Sequence, residues 1–414
     1  MGQLSIVGNH ITLNQNAVRV IILDSITTNT EIKYAGTNVS FYKYADAALN
    51  TNPVYPTLFP EDATGYIIKV DNIAKDTIWV IDYNKYKPEL RSIEPDQATV
   101  SPCDELNLLI DATIPMLSYK KPNGTEYSIM RNFKISYQNQ KWENEKWVDY
   151  TPDNETLTLP ASSYLLHKVL LGDTKFTLSG DEYADSLGVT ITPAVSKLYS
   201  AVAVECHPTT VISPRTEANE GEHPAQTSPI NFSAPIDIQF LSNANLPATT
   251  YYLWEIFRDG GSRPFVSRIE KDQRYTFVES GTYKVKVTVG STKCSYSDSV
   301  TVTVSESKLE VPNVFTPNGD GYNDEFRVGY KSLATFECWV FNRWGRQVFY
   351  WNDPQKGWNG KINGKDAPAG PYFYVIKAYG TDYNPKSKPD PKTKLRVGEL
   401  PRKGDINLLR GKGN

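Results

Sequence analysis

Near the carboxyl end of the chain, Asn318, Asp320, Asn323 and Asp324 set four oxygen-bearing side chains around Gly319 and Gly321. Short calcium loops have this character, because a hard cation takes carboxylate and amide oxygens from closely spaced positions. No Glu closes the loop at the twelfth position, where a bidentate ligand would complete such a site. Asn, Asp and Gly also build metal-free turns by bonding their own backbone, so calcium and a bare turn both stand as readings. Cys103, Cys206, Cys294 and Cys338 are even in number but far apart. Without a CxxC pair they argue against zinc and thioredoxin-like redox chemistry. His10, His167, His207 and His223 are scattered, and none sits in a partner motif. There is no HExxH, GxSxG or Walker-type loop, and abundant Ser and Asp do not make a triad. The chain is therefore expected not to be an enzyme. A carboxylate pair drawn from distant strands remains the one open route to glycoside hydrolysis.

The elements that must position these residues are strands. Apolar and polar residues alternate over Thr64–Val70 and over residues 78–83, 133–137, 283–289 and 372–378, the period of a half-buried strand. In the fourth of these, Tyr283, Val285, Val287 and Val289 point one way and Lys284, Lys286 and Thr288 the other. Asn123-Gly124 and Asn363-Gly364 suit tight hairpins. Helical periodicity is almost absent, with single turns expected at residues 45–49 and 184–187. At roughly 150 residues per domain, 414 residues imply two to four domains. Shifts to Pro, Asp and polar residues near 92–102, 207–229 and 305–308 divide the chain into four units. These are an N-terminal sandwich (1–97), a second (98–208), a third (209–306) and a terminal unit (307–414), each of about the size of an immunoglobulin-like domain. The expected fold class is all-β, with tandem immunoglobulin-like β-sandwich domains.

Composition narrows the function. Lys and Arg number 44 against 47 Asp and Glu, a net charge of -3, so there is no footprint for nucleic acid. No apolar run approaches the roughly 18 residues that a membrane helix needs. The first ten residues have neither a basic stretch nor an apolar core, so a signal peptide is expected to be absent from this chain.

Two stretches carry a resemblance. The third unit contains Trp254-Glu255-Ile256-Phe257-Arg258-Asp259-Gly260, then Tyr275-Thr276-Phe277 and Gly281-Thr282-Tyr283. This resembles the polycystic-kidney-disease-type (PKD) sandwich, in which Trp254 would fill the core and Gly281 would permit the turn into the next strand. The terminal unit runs through Val314-Phe315-Thr316-Pro317-Asn318-Gly319-Asp320-Gly321-Tyr322-Asn323-Asp324, Phe341-Asn342-Arg343-Trp344-Gly345 and Gly357-Trp358-Asn359-Gly360. It continues through Pro368-Ala369-Gly370-Pro371-Tyr372-Phe373-Tyr374 and ends in Lys403-Gly404-Asp405-Ile406-Asn407-Leu408-Leu409-Arg410. It resembles the gliding-motility-associated C-terminal domain, the type B sorting domain of type IX secretion in Bacteroidota. Phe341, Trp344, Trp358 and Tyr372 read as its sandwich core. A Lys- and Pro-rich insertion at 383–394 and a short tail at 411–414 depart from that pattern.

The resemblance implies an exported protein, displayed outside the outer membrane, with an outer-membrane secretion or anchoring partner. Export favours disulfides: Cys103 with Cys206 would staple the second sandwich, and Cys294 with Cys338 would join the third to the fourth. Free buried thiols are the alternative reading for each pair. The implied role is a surface spacer, adhesin or polymer-binding protein, with a surface polysaccharide or host ligand as target. A glycan-binding or glycan-active protein, with Trp142, Trp147 and Tyr150 as its aromatic platform, is one alternative. A structural component of a secretion or motility apparatus is another. No cofactor beyond a calcium ion is implied.

Overall fold

A computed structural model describes residues 3–44, 54–212, 232–246 and 248–410. The chain is all-β, a series of immunoglobulin-like sandwiches. The one α-helix among the described residues is Glu182–Leu187, where a single turn was expected. Asp181 caps its first turn by accepting from the Ala184 N–H, and Gly188 ends it at φ 68°. The turn expected at 45–49 lies outside the described residues. Two compact units form: Met1–Val204 with Asn245–Ala248 and Ser291–Cys294, and the remainder.

In the first unit, a five-stranded sheet orders His10–Gln15, Val18–Leu23, Ile73–Asp82, Thr64–Val70 and Val39–Tyr44, with the second and third strands parallel. Residues 78–83 were expected to alternate, with one wet face. Instead Ile78 and Val80 pack with Ile21, Leu23, Ile32 and Leu58 on one side. Trp79 and Ile81 pack with Val20, Ile22, Leu117, Tyr119 and Tyr183 on the other. Both faces are covered, and the unbroken apolar runs at 20–23 and 78–81 are the sequence form of a doubly buried strand. The second face is closed by residues from beyond position 98, so the first two sandwiches share a core. Glu89–Pro95 pairs antiparallel with Leu106–Thr113. The boundary expected at 97/98 thus falls between two paired strands.

A buried polar knot ties this shared core. Arg131 is 2% exposed and Asp181 1%. The Arg131 guanidinium donates to the Asp181 carboxylate, to the Tyr83 hydroxyl at 3.0 Å, and to the carbonyls of Tyr86 and Pro115 at 2.8 and 2.9 Å. Tyr83 donates to Asp181 at 2.8 Å, and burial together with that carboxylate raises the Tyr83 pKa. Removing Arg131 or Asp181 leaves the other's charge stranded out of water, a cost of about 3–5 kcal/mol. Asp181→Ala is expected to lower hydrogen-exchange protection of Val18–Leu23 and Arg131–Ser136 together. The joint replacement of Arg131 and Asp181 by Met and Leu should cost less than Asp181→Ala alone. Loss of protection in only one of the two strands would refute the shared core.

The second unit contains two sandwiches. In one, Thr209–Ile212, Ile236–Leu241 and Gln273–Phe277 form a sheet. It faces Phe232–Ser233, Ser295–Ser305, Gly281–Gly290, Tyr251–Arg258 and Val266–Arg268. Trp254 is fully buried against Phe240, centroid to centroid 5.9 Å. Most of the polar stretch 207–229 and the tail 411–414 lie outside the described residues. In the other sandwich, a five-stranded sheet orders Val314–Phe315, Arg402–Leu408, Gly370–Gly380, Leu333–Phe341 and Gln347–Trp351.

The cysteines pair differently from expectation. Cys103 is bonded to Cys294, with Cα atoms 5.7 Å apart, while Cys206 and Cys338 are free and buried. Cys338 points into its own sheet's core, opposite Trp351 and Ile376, where no second thiol can reach it. Burial pushes the Cys206 thiol up to about 12 and raises that of Cys338, so both behave as small apolar residues. Cys294 instead sits in the Ser291–Cys294 segment that joins the first unit, where Ser291 Oγ donates to the Val202 carbonyl at 2.6 Å. A non-reduced digest should yield one linked peptide, Cys103 with Cys294. Cys206 and Cys338 should take an alkylating agent only after denaturation. A Cys294–Cys338 peptide would overturn the assignment.

Candidate recognition surface of the C-terminal sheet

The terminal sheet sorts its side chains by strand parity. Phe336, Cys338 and Val340 face the core together with Tyr372, Ile376, Ala378, Ile406 and Leu408. Trp358 is fully buried, donates its Nε1–H to the Lys361 carbonyl at 2.9 Å, and packs edge-on against Tyr372 at 4.8 Å. Two of the four expected core residues, Trp358 and Tyr372, are therefore in the core.

The other two are not. Phe341 is half-buried on the outer face, directly opposite exposed Phe373. Trp344 is 76% exposed. The reason is local: Asn342 and Gly345 close a tight turn, with Gly345 N–H donating to the Asn342 carbonyl at 2.9 Å and Gly345 at φ 76°. That turn carries Trp344 past the end of the strand, where the Arg343 guanidinium lies 4.4 Å from its ring centroid. Phe326, Trp351 and Phe315 fill the core space expected for Trp344.

The outer face consequently carries exposed apolar side chains set among charged ones, with Phe373 opposite Asp405, Val375 opposite Lys403 and Glu337 opposite Lys377. Trp339 stands between Val375 and Tyr350 across the strands, with its ring 5.5 Å from that of Tyr350. Phe373, Val375 and Tyr350 are exposed. The signal for this face is in the sequence: Phe373 and Val375 occupy the positions of the 372–378 pattern that alternation assigns to water.

At one end of this sandwich lies the 318–324 loop. It brings the four expected calcium ligands together but directs most of their oxygens to its own backbone. Asp324 accepts from the Gly319 and Gly321 N–H groups at 2.7 and 2.8 Å. Asn318 accepts from the Asp320 N–H at 3.2 Å, and Asp320 from the Tyr322 N–H at 2.8 Å. Among the described residues no group of three or more His, Cys, Asp or Glu side chains could hold a metal. Beside the loop is an open cleft of about 560 Å³, lined in part by Glu310, Asp324, Glu325 and Arg327. Its lining holds no Ser, Thr, Cys or His, and Arg327 lies 3.2 Å from Glu325.

The aromatic cluster at 141–150 divides in two. Trp142 and Trp147 pair across the hairpin, edge to face at 5.5 Å. Tyr150 lies on the opposite face, with Lys141 Nζ 5.5 Å from its centroid. The three rings form no common platform.

Residues 309–389 match the CHU_C type IX secretion signal domain. Residues 95–196 match a fibronectin type III domain family. None of the curated proteins is similar enough to count as a match. Among solved structures, the FN1–FN3 domains of chicken CNTN1 align at 12% identity and TM-score 0.27, over 77% of this chain and 98% of that one. The Sidekick-1 immunoglobulin domains 1–5 align at 9% and 0.24, over 99% and 81%. Dimeric latent PorU from Porphyromonas gingivalis aligns at 9% and 0.18, over 82% and 36%. These scores carry no functional inference. The type IX secretion signal domain itself implies export to the cell surface or the extracellular space.

The Gly319 and Gly321 N–H groups hold the Asp324 carboxyl below the usual carboxylate range. A depressed carboxylate stabilises the loop above its ordinary pKa, and that contribution disappears as pH falls through the lower native value. The Asp324 carboxyl resonance in an NMR titration should therefore move at a lower pH than those of unpaired aspartates. Millimolar calcium against chelator should leave the melting temperature unchanged. A calcium-dependent rise would restore the ion-binding reading.

Proposed function

We propose that this chain is a non-catalytic surface protein of a Bacteroidota-type type IX pathway. Its terminal domain acts as the export and sorting signal, and its preceding sandwiches serve as spacer, adhesin or polymer-binding modules. The observation that carries the reading is the terminal domain: five motifs of the gliding-motility-associated kind, in order, on one well-packed sandwich with an exposed turn and an uncovered aromatic face. The third sandwich, with buried Trp254 and with Gly281 leading into the next strand, supports a PKD-like spacer.

The outer-membrane partner is assigned to the side chains that project from the terminal sandwich: Trp344 on its turn, with Phe373, Val375 and Tyr350 on the face beside it. Large exposed aromatics with a positive neighbour are what hot spots of recognition are made of. On this proposal the domain's work is to be recognised.

Removing residues 307–414 should leave the rest of the chain folded but inside the outer membrane of a type IX-competent host. Trp344→Ala should reduce surface display while changing stability by less than about 0.5 kcal/mol, as expected of an exposed side chain. Trp358→Ala should instead cost about 3–5 kcal/mol by opening the core. Surface proteolysis of intact cells reads the first two outcomes. A truncated chain that is still cleaved at the surface sinks the sorting role.

A further inference from the structure

The insertion at 383–394, which departs from the sorting-domain pattern, folds into an ordered basic loop. Its base is fixed to the sandwich. Buried Asp382 accepts from the Ser307 N–H at 3.0 Å, and the Gly380 N–H donates to the Gly398 carbonyl at 2.7 Å. Gly398 is at φ 71°, and a Cβ there would stand 2.6 Å from both Asp382 and the Tyr383 backbone. The Tyr379 and Tyr383 rings meet at 4.5 Å.

The loop closes on itself above this base. Arg396 Nε donates to the Ser387 carbonyl at 3.2 Å. The Asp390 N–H donates to the Leu395 carbonyl at 2.8 Å, and the Lys394 N–H returns to the Asp390 carbonyl at 2.9 Å. Pro385, Pro389 and Pro391 stiffen the backbone between these links.

The closure concentrates charge. Lys386, Lys388, Lys392 and Lys394 are all exposed, and among the described residues none of them forms an ion pair. The one carboxylate inside the loop, Asp390, accepts from the N–H groups of Lys392 and Thr393, both at 2.8 Å, which lowers its pKa. Four exposed lysines thus stand on one backbone-closed loop of a chain whose net charge is -3.

We propose that the 386–394 loop is a binding site for an anionic polysaccharide, one bearing carboxylates or sulfates along its length. Repeated anions match ammonium groups held on a stiff loop, which spares the polymer-bound state much of the ordering cost. A bilayer is a poorer match, because positions 386–394 carry no aromatic or long aliphatic side chain to enter the headgroup boundary. The inference names a polymer class for the surface-binding role proposed above and rests on that role for its biological setting.

The test is equilibrium binding of the full chain to immobilised polygalacturonate, dextran sulfate and unsubstituted dextran. A second arm uses phosphatidylcholine vesicles with and without phosphatidylglycerol. Both polyanions should bind and dextran should not. Replacing Lys386, Lys388, Lys392 and Lys394 with Gln should weaken binding by at least roughly tenfold at low salt, and flatten the log-affinity against log-salt slope by about 3. The four Lys→Arg replacements should retain it. Circular dichroism and melting temperature confirm that both variants fold. Absent polyanion binding, or equal binding by the Gln variant, overturns the proposal. Equal or tighter binding to the phosphatidylglycerol vesicles overturns it in favour of a membrane surface. Surface proteolysis of the Gln variant in cells reads export separately, so failure of the sorting role is distinguishable from failure of this site.

Discussion

A guanidinium sealed from water is tolerable only while every partner stays in place. Arg131 draws its partners from two stretches of chain that the sequence assigns to different sandwiches: Tyr83 and Tyr86 from the first, Pro115 and Asp181 from the second. Asp181 also caps the only described α-helix, through the Ala184 N–H. Arg131, Asp181 and that cap stand or fall together, and no buried side-chain atom of the knot lacks a hydrogen-bond partner, the condition under which buried charge can specify a unique packing. It makes the first unit one cooperative body. Two domains of about 100 residues each would otherwise be free to move on a linker.

The same sequence signal, an apolar residue on both faces of a strand, has two outcomes here. At 20–23 and 78–81 both faces are buried, because a second sandwich covers the side that alternation would leave wet. At Phe373 and Val375 nothing within the terminal sandwich covers the outer face. Burying a large aromatic side chain stabilises by about 2–3 kcal/mol, so a face left bare forgoes stability that the domain could have had. Exposed apolar residues at these positions are what the partner contact proposed above rests on.

Fold class was legible because period and turn chemistry are local properties: Tyr283–Val289 alternation and Asn-Gly pairs need no knowledge of the rest of the chain. Tyr372 was legible as core for the same reason, since it falls on the inward parity of 372–378, and Trp358 by its residue type between Gly357 and Gly360. Trp344 was not, because residue type argued for burial while Asn342 and Gly345 argued for a turn, and backbone geometry prevailed. The disulfide was invisible to any local reading. Cys103 and Cys294 are separated by 191 positions, and only the folding of Ser291–Cys294 into the first unit brings them together. Asn318, Asp320, Asn323 and Asp324 share one loop, yet sequence cannot tell whether an oxygen there faces an ion or its own backbone.

Division of labour within the terminal domain follows from these placements. Residues that hold the sandwich together, Trp358, Phe326 and Tyr372, are out of reach of any partner. Those within reach, Trp344, Tyr322 and Phe373, sit on a turn, a self-capped loop and an outer face, where substitution leaves the core untouched. The sorting role proposed above calls for this separation in a signal read by another protein. Its recognised side chains can then be matched to the reader without loss of fold, and the fold keeps them in a fixed arrangement. The glycines do the positioning: Gly319, Gly321 and Gly345 all take positive φ with open space around them, so their need for glycine comes from turn geometry and not from crowding. Replacing any of them would redirect the loop that presents an exposed aromatic while sparing the buried tryptophan below it.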